Sequence, residues 1–109
     1  MTADPPQALR ALAQRVTDEL RAAGFAPHAF TSGEYTGHDW RHSGPLVVIR
    51  RDHLEVWWSV GLRSADQPGP TRAEQRMTPI LLDVLIDAEI NAELSTPTRQ
   101  GDIAVWVTP

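Results

Sequence analysis

A chain of 109 residues has room for one hydrophobic core and buries roughly 60–70% of the surface that its unfolded form exposes. With 41% hydrophobic and 22% charged residues, the composition excludes a disordered or fibrous protein. The absence of cysteine excludes a disulfide framework, a thiolate metal site and a cysteine nucleophile. A net charge of -4 argues against a dedicated nucleic-acid binder, which needs a clustered basic surface to neutralise phosphate.

The acidity is uneven. Residues 1–63 carry seven Arg against seven acids, whereas residues 64–109 carry three Arg against seven acids. Every basic residue is Arg, which together with the abundant Ala and Pro reads as a coding bias. Asp4, Arg10 and Arg15 interrupt the start of the chain, and no run approaches the ~18 apolar residues of a membrane span, so a cytoplasmic address without membrane contact is expected.

Residues 5–23 predict an amphipathic helix. Leu9, Leu12, Ala13, Val16, Leu20 and Ala23 recur at helical spacing, and Arg10, Gln14, Asp18 and Arg21 fill the other side. Asp4 is placed to cap its first amides, Pro5 and Pro6 suit its first turn, and Gly24 suits a left-handed exit. Residues 25–31 alternate loosely and predict a short strand at a sheet edge, because Pro27 cannot donate to a ladder. Residues 32–45 contain three glycines and a proline without periodicity and predict a loop.

Residues 46–51 and 54–60 predict a β-hairpin turning on Asp52 and His53. That turn opposes Arg50 to Glu55, Ile49 to Val56, Val48 to Trp57 and Val47 to Trp58. Alternation then puts Val47, Ile49, Leu54, Val56, Trp58 and Val60 on the core face, with Val48, Arg50, Glu55 and Trp57 on the other. A one-residue slip would bury Arg50 with Glu55, a costly exchange.

Residues 61–70 predict a second loop. Thr71-Arg72-Ala73-Glu74 has capping-box spacing and predicts a helix start. Pro79 predicts a kink or a fresh start capped by Thr78, with helical structure over 79–94. That helix carries two apolar stripes: Met77, Leu81, Val84, Leu85, Ala88 and Ala92, and beside them Leu82, Ile86, Ile90 and Leu94. Residues 95–102 predict a third loop, and Ile103 to Val107 a final strand with Ala104 and Trp106 on its opposite face. The expected architecture is a single α+β domain over residues 1–109, in the order α-β-β-β-α-β. About four strands, antiparallel or mixed, carry two helices mainly on one face.

Few residues suggest chemistry. His38-Asp39-Trp40-Arg41-His42 has the spacing of the zinc-binding H-E-x-x-H pattern with Asp replacing Glu. That pattern needs a long helix to project both imidazoles, and Gly37 with Ser43-Gly44-Pro45 leaves about one turn. A third ligand would have to come from His28 or Glu34. A solvated polar loop is therefore expected, without metal or cofactor. The alternative is a metal-dependent or small-ligand enzyme using His38, Asp39 and His42, with Arg41 or Arg50 as anion clamp. Asp83, Asp87, Glu89 and Glu93 have the spacing of a wet helix edge. His53 is expected to be a solvated turn residue.

The most suggestive feature is apolar surface beyond what one core can use. Val48, Arg50 and Trp57 face away from the expected core, and Trp106 can join them, unless the 32–45 loop or a helix folds across. The stripe through Leu82, Ile86 and Ile90 is a second such surface. The sequence therefore suggests a non-enzymatic interaction protein that forms a homodimer, or binds an unidentified protein partner, through one of these surfaces.

Overall fold

The computed structural model describes residues 6–31, 43–60, 71–99 and 101–109. Their elements are α1 (Gln7–Ala22), β1 (His28–Thr31), β2 (Ser43–Ile49), β3 (Leu54–Val60), α2 (Arg72–Asp87), β4 (Ala92–Leu94) and β5 (Val105–Val107). The strands form one mixed sheet of five, in the order β1-β2-β3-β5-β4, with β1 parallel to β2 and the other pairs antiparallel. The expected α+β order stands, with one strand more than expected. No described helix is long and apolar enough to cross a membrane.

α1 packs over β1 and β2, and α2 over β3, β5 and β4. Between helices and sheet lies the main core, in which Val16 and Leu20 of α1, Leu81 and Leu85 of α2, and Val47, Leu54, Val56, Val105 and Val107 of the sheet are fully buried. Trp58 packs against it, edge-on to Phe25 with ring centroids 5.7 Å apart. On the opposite face Phe30, Leu46 and Val48 form a second buried cluster that Trp57 flanks. The neighbouring indoles thus point to opposite faces, as strand alternation requires.

Both helices end in the same way. Gly24 (φ 102°) follows α1 while its amide bonds Arg21 and the Phe25 amide bonds Leu20, a Schellman closure that leads Phe25 toward the core. α2 repeats this, with the Glu89 amide on Ile86 and the Ile90 amide on Leu85, except that the left-handed position is Glu89 (φ 61°). The start of α2 is capped as expected, the Glu74 amide donating to the Thr71 hydroxyl at 3.2 Å. At the start of α1 the capping position is Pro6, without a side-chain cap; the proposed cap Asp4 lies outside the described residues.

Several expectations need correction. The hairpin turns one residue earlier, on Arg51 and Asp52, with the Arg50 amide donating to the His53 carbonyl at 3.0 Å. Ile49 opposes Leu54, Val48 opposes Glu55, and Leu46 opposes Trp57. This moves every pairing by two residues, an even number, so each side chain keeps its expected face. The shift has a physical cause. It takes His53 out of the turn onto the outer face, where Glu55 serves several donors at once.

β2 also begins earlier than expected, at Ser43, and includes the fully buried Pro45. Even-numbered residues of β2 bond β3, so the missing Pro45 donor falls on the other side, ahead of the first β1 pairing at His28 and Leu46. Pro79 does not break α2, which runs through it unbroken. That helix stops at Asp87 instead of reaching residue 94, because left-handed Glu89 reverses the chain and sends it back as β4.

Candidate interaction site

The outer sheet face carries a polar network centred on Glu55. Its Oε1 accepts from Arg50 Nη2 at 3.0 Å and from the Trp57 indole at 3.1 Å, and its Oε2 lies 2.9 Å from His53 Nε2. His53 Nδ1 lies 2.7 Å from an Asp52 oxygen, and the imidazole stacks on Trp106, 3.8 Å away between ring centroids and 7° from parallel. Three residues expected to share a surface, Arg50, Trp57 and Trp106, are therefore joined through Glu55, expected on that face, and through His53, which carried no expected role there. The Arg50–Glu55 pairing was legible in their opposite charges. The His53 role was hidden by the two-residue difference in register.

Burial pushes the Glu55 carboxyl up, but bonds from His53, Arg50 and Trp57 outweigh this and hold it below its ordinary value. The adjacent Asp52 is held low chiefly by its hydrogen bond from His53. Both imidazole nitrogens of His53 lie within hydrogen-bond distance of a carboxylate, Asp52 on one side and Glu55 on the other.

A second region lies where β3 and β5 part. Their pairing covers only residues 54–56 of β3, and beyond it a small solvent-open cleft is lined by Trp57, Trp58, Glu74, Gln75, Thr78, Pro79, Leu94, Gly101 and Ile103. Pro79, Leu82 and Ile86 recur at three- and four-residue spacing along one flank of α2, and of the three Pro79 lines the cleft. Ile86 is 51% exposed and Leu94 45% exposed, whereas Leu82 is partly buried against the main core.

Two expected surface residues are not on the surface. Val48 is fully buried between its neighbours Phe30 and Leu46, because the outer sheet face has a core of its own. Ile90, 4% exposed, is drawn into the main core by the closure that ends α2. Leu94, which one helical stripe would have set beside Ile90, instead lies on the edge strand. His38, Asp39 and His42, with Glu34, Trp40 and Arg41, lie outside the described residues. Among the described residues no group of three or more His, Asp or Glu is arranged to hold a metal ion.

No family model, curated protein or solved structure matches this chain.

Proposed function

We propose that this protein is a non-enzymatic, self-associating module that forms a homodimer through the flank of α2 and the neighbouring β4 edge. The observation that carries this reading is an apolar cleft lined by Pro79 and the half-exposed Leu94, on the same side of the fold as α2, whose Ile86 is also about half exposed. A projecting apolar ridge next to an apolar recess is self-complementary: a two-fold axis sets the ridge of each copy into the recess of the other.

The Trp57 and Trp106 face supports self-association less well. The Trp57 indole is committed to Glu55, and one face of Trp106 is covered by His53.

Sedimentation equilibrium at micromolar concentrations tests the proposal. A dimer is expected, and Ile86→Glu is expected to shift it to monomer with the fold intact by circular dichroism. A monomer at all concentrations up to about 100 μM, where only contacts weaker than ~5.5 kcal/mol escape detection, contradicts it.

A further inference from the structure

We propose that His53 is a pH-sensitive clasp. As an imidazolium it bridges Asp52 in the hairpin turn and Glu55 on β3 while lying on Trp106 of β5; on losing its proton to solvent it releases Asp52 and loosens the turn. This is independent of the self-association proposed above.

The geometry asks for two hydrogens on one ring. Nδ1 lies 2.7 Å from Asp52 Oδ1, and Nε2 lies 2.9 Å from Glu55 Oε2. A neutral imidazole has one N–H and one lone pair, so it satisfies one carboxylate and turns the lone pair on the other. The imidazolium donates to both, and both distances are those of charge-assisted bonds. Neither carboxyl supplies the missing hydrogen, since both are held below their ordinary values and are ionised at neutral pH. The parallel Trp106 indole, its centroid 3.8 Å away, presents its π face to the positive ring.

The two carboxylates differ in what they lose without the ring. The Asp52 side chain is 84% exposed, so water replaces the imidazole there at little cost. Glu55 is largely buried, and Arg50 and Trp57 both donate to its Oε1, whereas His53 engages its Oε2. A neutral ring therefore keeps its hydrogen on Nε2, facing Glu55, because an unsatisfied buried carboxylate oxygen costs more than a solvated one. Its bare Nδ1 then repels the Asp52 carboxylate. Asp52 sits in the turn that the Arg50 amide closes on the His53 carbonyl at 3.0 Å, so the repulsion is felt in that bond.

Among the described residues, the other charged groups at this site are Arg50, the exposed Arg51 in the turn, and Glu93 of β4, which opposes Trp106 in the sheet. Continuing the β3–β5 register past Leu54 and Val107 sets Thr108 across from His53, with the carboxyl of Pro109 one residue beyond. Histidine is the side chain whose charge ordinarily changes between about pH 5 and 8, a range that Arg and carboxyl groups ordinarily leave unchanged.

Heteronuclear NMR of the isotope-labelled wild-type protein from about pH 5 to 9 reads the clasp without any substitution. At the acid end both His53 ring nitrogens should carry hydrogens, and at the alkaline end Nε2 alone. The Trp106 indole resonance and the exchange protection of the Arg50 amide should follow the His53 curve with the same midpoint. Protection should fall about two- to five-fold, the weight of one exposed ion pair. In Asp52→Asn the side-chain amide accepts from an N–H or, turned over, donates to a lone pair, so protection should no longer change with the charge of His53.

A ring in one charge state throughout, or a hydrogen left on Nδ1 instead of Nε2, would overturn the proposal. So would an Arg50 amide and Trp106 indole indifferent to His53, or an Asp52→Asn variant that keeps the full pH response.

Discussion

The imidazole of His53 lies flat on the indole of Trp106, with ring centroids 3.8 Å apart and planes 7° from parallel. The contact fastens the tip of the central hairpin to β5, which enters the sheet between β3 and β4 from the far end of the chain. Stacked aromatic pairs contribute about 0.5–1.5 kcal/mol beyond the area they bury. A double-mutant cycle of His53→Ala and Trp106→Ala by urea denaturation should return a coupling of that size. Additive effects would mean that the stack does not help hold β5.

Glu55 accepts from Arg50 and Trp57 and is engaged by His53 while only 14% of its side chain is exposed. Its folded-state pKa lies below the ordinary 4.5. The resulting stability is fully present above 4.5 and is lost as pH falls through the lower folded value. Glu55→Gln should cost about 1–3 kcal/mol at neutral pH, since it replaces bonds to a charge by bonds to an amide. The gap between wild type and variant should shrink on acidification below pH 4.5; a constant gap would show that ionisation of Glu55 contributes nothing.

Glu89 occupies a left-handed conformation that costs an L-residue with a side chain about 1 kcal/mol or more. The equivalent position after α1 is Gly24. Replacing Glu89→Gly should stabilise the protein by about 0.5–1 kcal/mol in thermal or urea unfolding. Gly24→Ala should do the reverse, because its φ of 102° is unfavourable to any side chain although open space surrounds it. Equal effects at both sites would contradict the shared closure.

Leu85 is fully buried at the centre of the main core, so Leu85→Ala should cost about 2–5 kcal/mol. Thr71→Ala, which removes the cap of α2, should cost about 0.5–2 kcal/mol. Urea midpoints rank the two. A cap loss exceeding the core loss would place the main stability of α2 at its end instead of in its packing.

Much of this fold could be read from local pattern. Alternation along residues 46–60 sorted Trp57 from Trp58, and it survived a wrong turn position because the register moved by two. Leu9, Ala13, Val16 and Leu20 marked the buried face of α1, and Thr71 with Glu74 marked the start of α2. The end of α2 was not legible. No Gly or Pro stands at position 89, and Leu82, Ile86, Ile90 and Leu94 keep helical spacing after the helix has stopped. A left-handed Glu is chosen by tertiary packing of Ile90, which local propensity does not contain. For the same reason β4 was hidden, and with it the proposed contact surface. The buried outer cluster was missed because β1 read as a weak edge strand, although its Phe30 lies directly beside Val48.

Amide hydrogen exchange at Leu94, followed as a function of protein concentration, tests the proposed interface most directly. The Leu94 amide points outward along an edge that a second copy would cover, so its exchange should slow progressively from sub-micromolar to high micromolar concentration, while the Leu85 amide within α2 stays unchanged. Exchange at Leu94 that is fast and independent of concentration would contradict a self-associating protein joined at this edge.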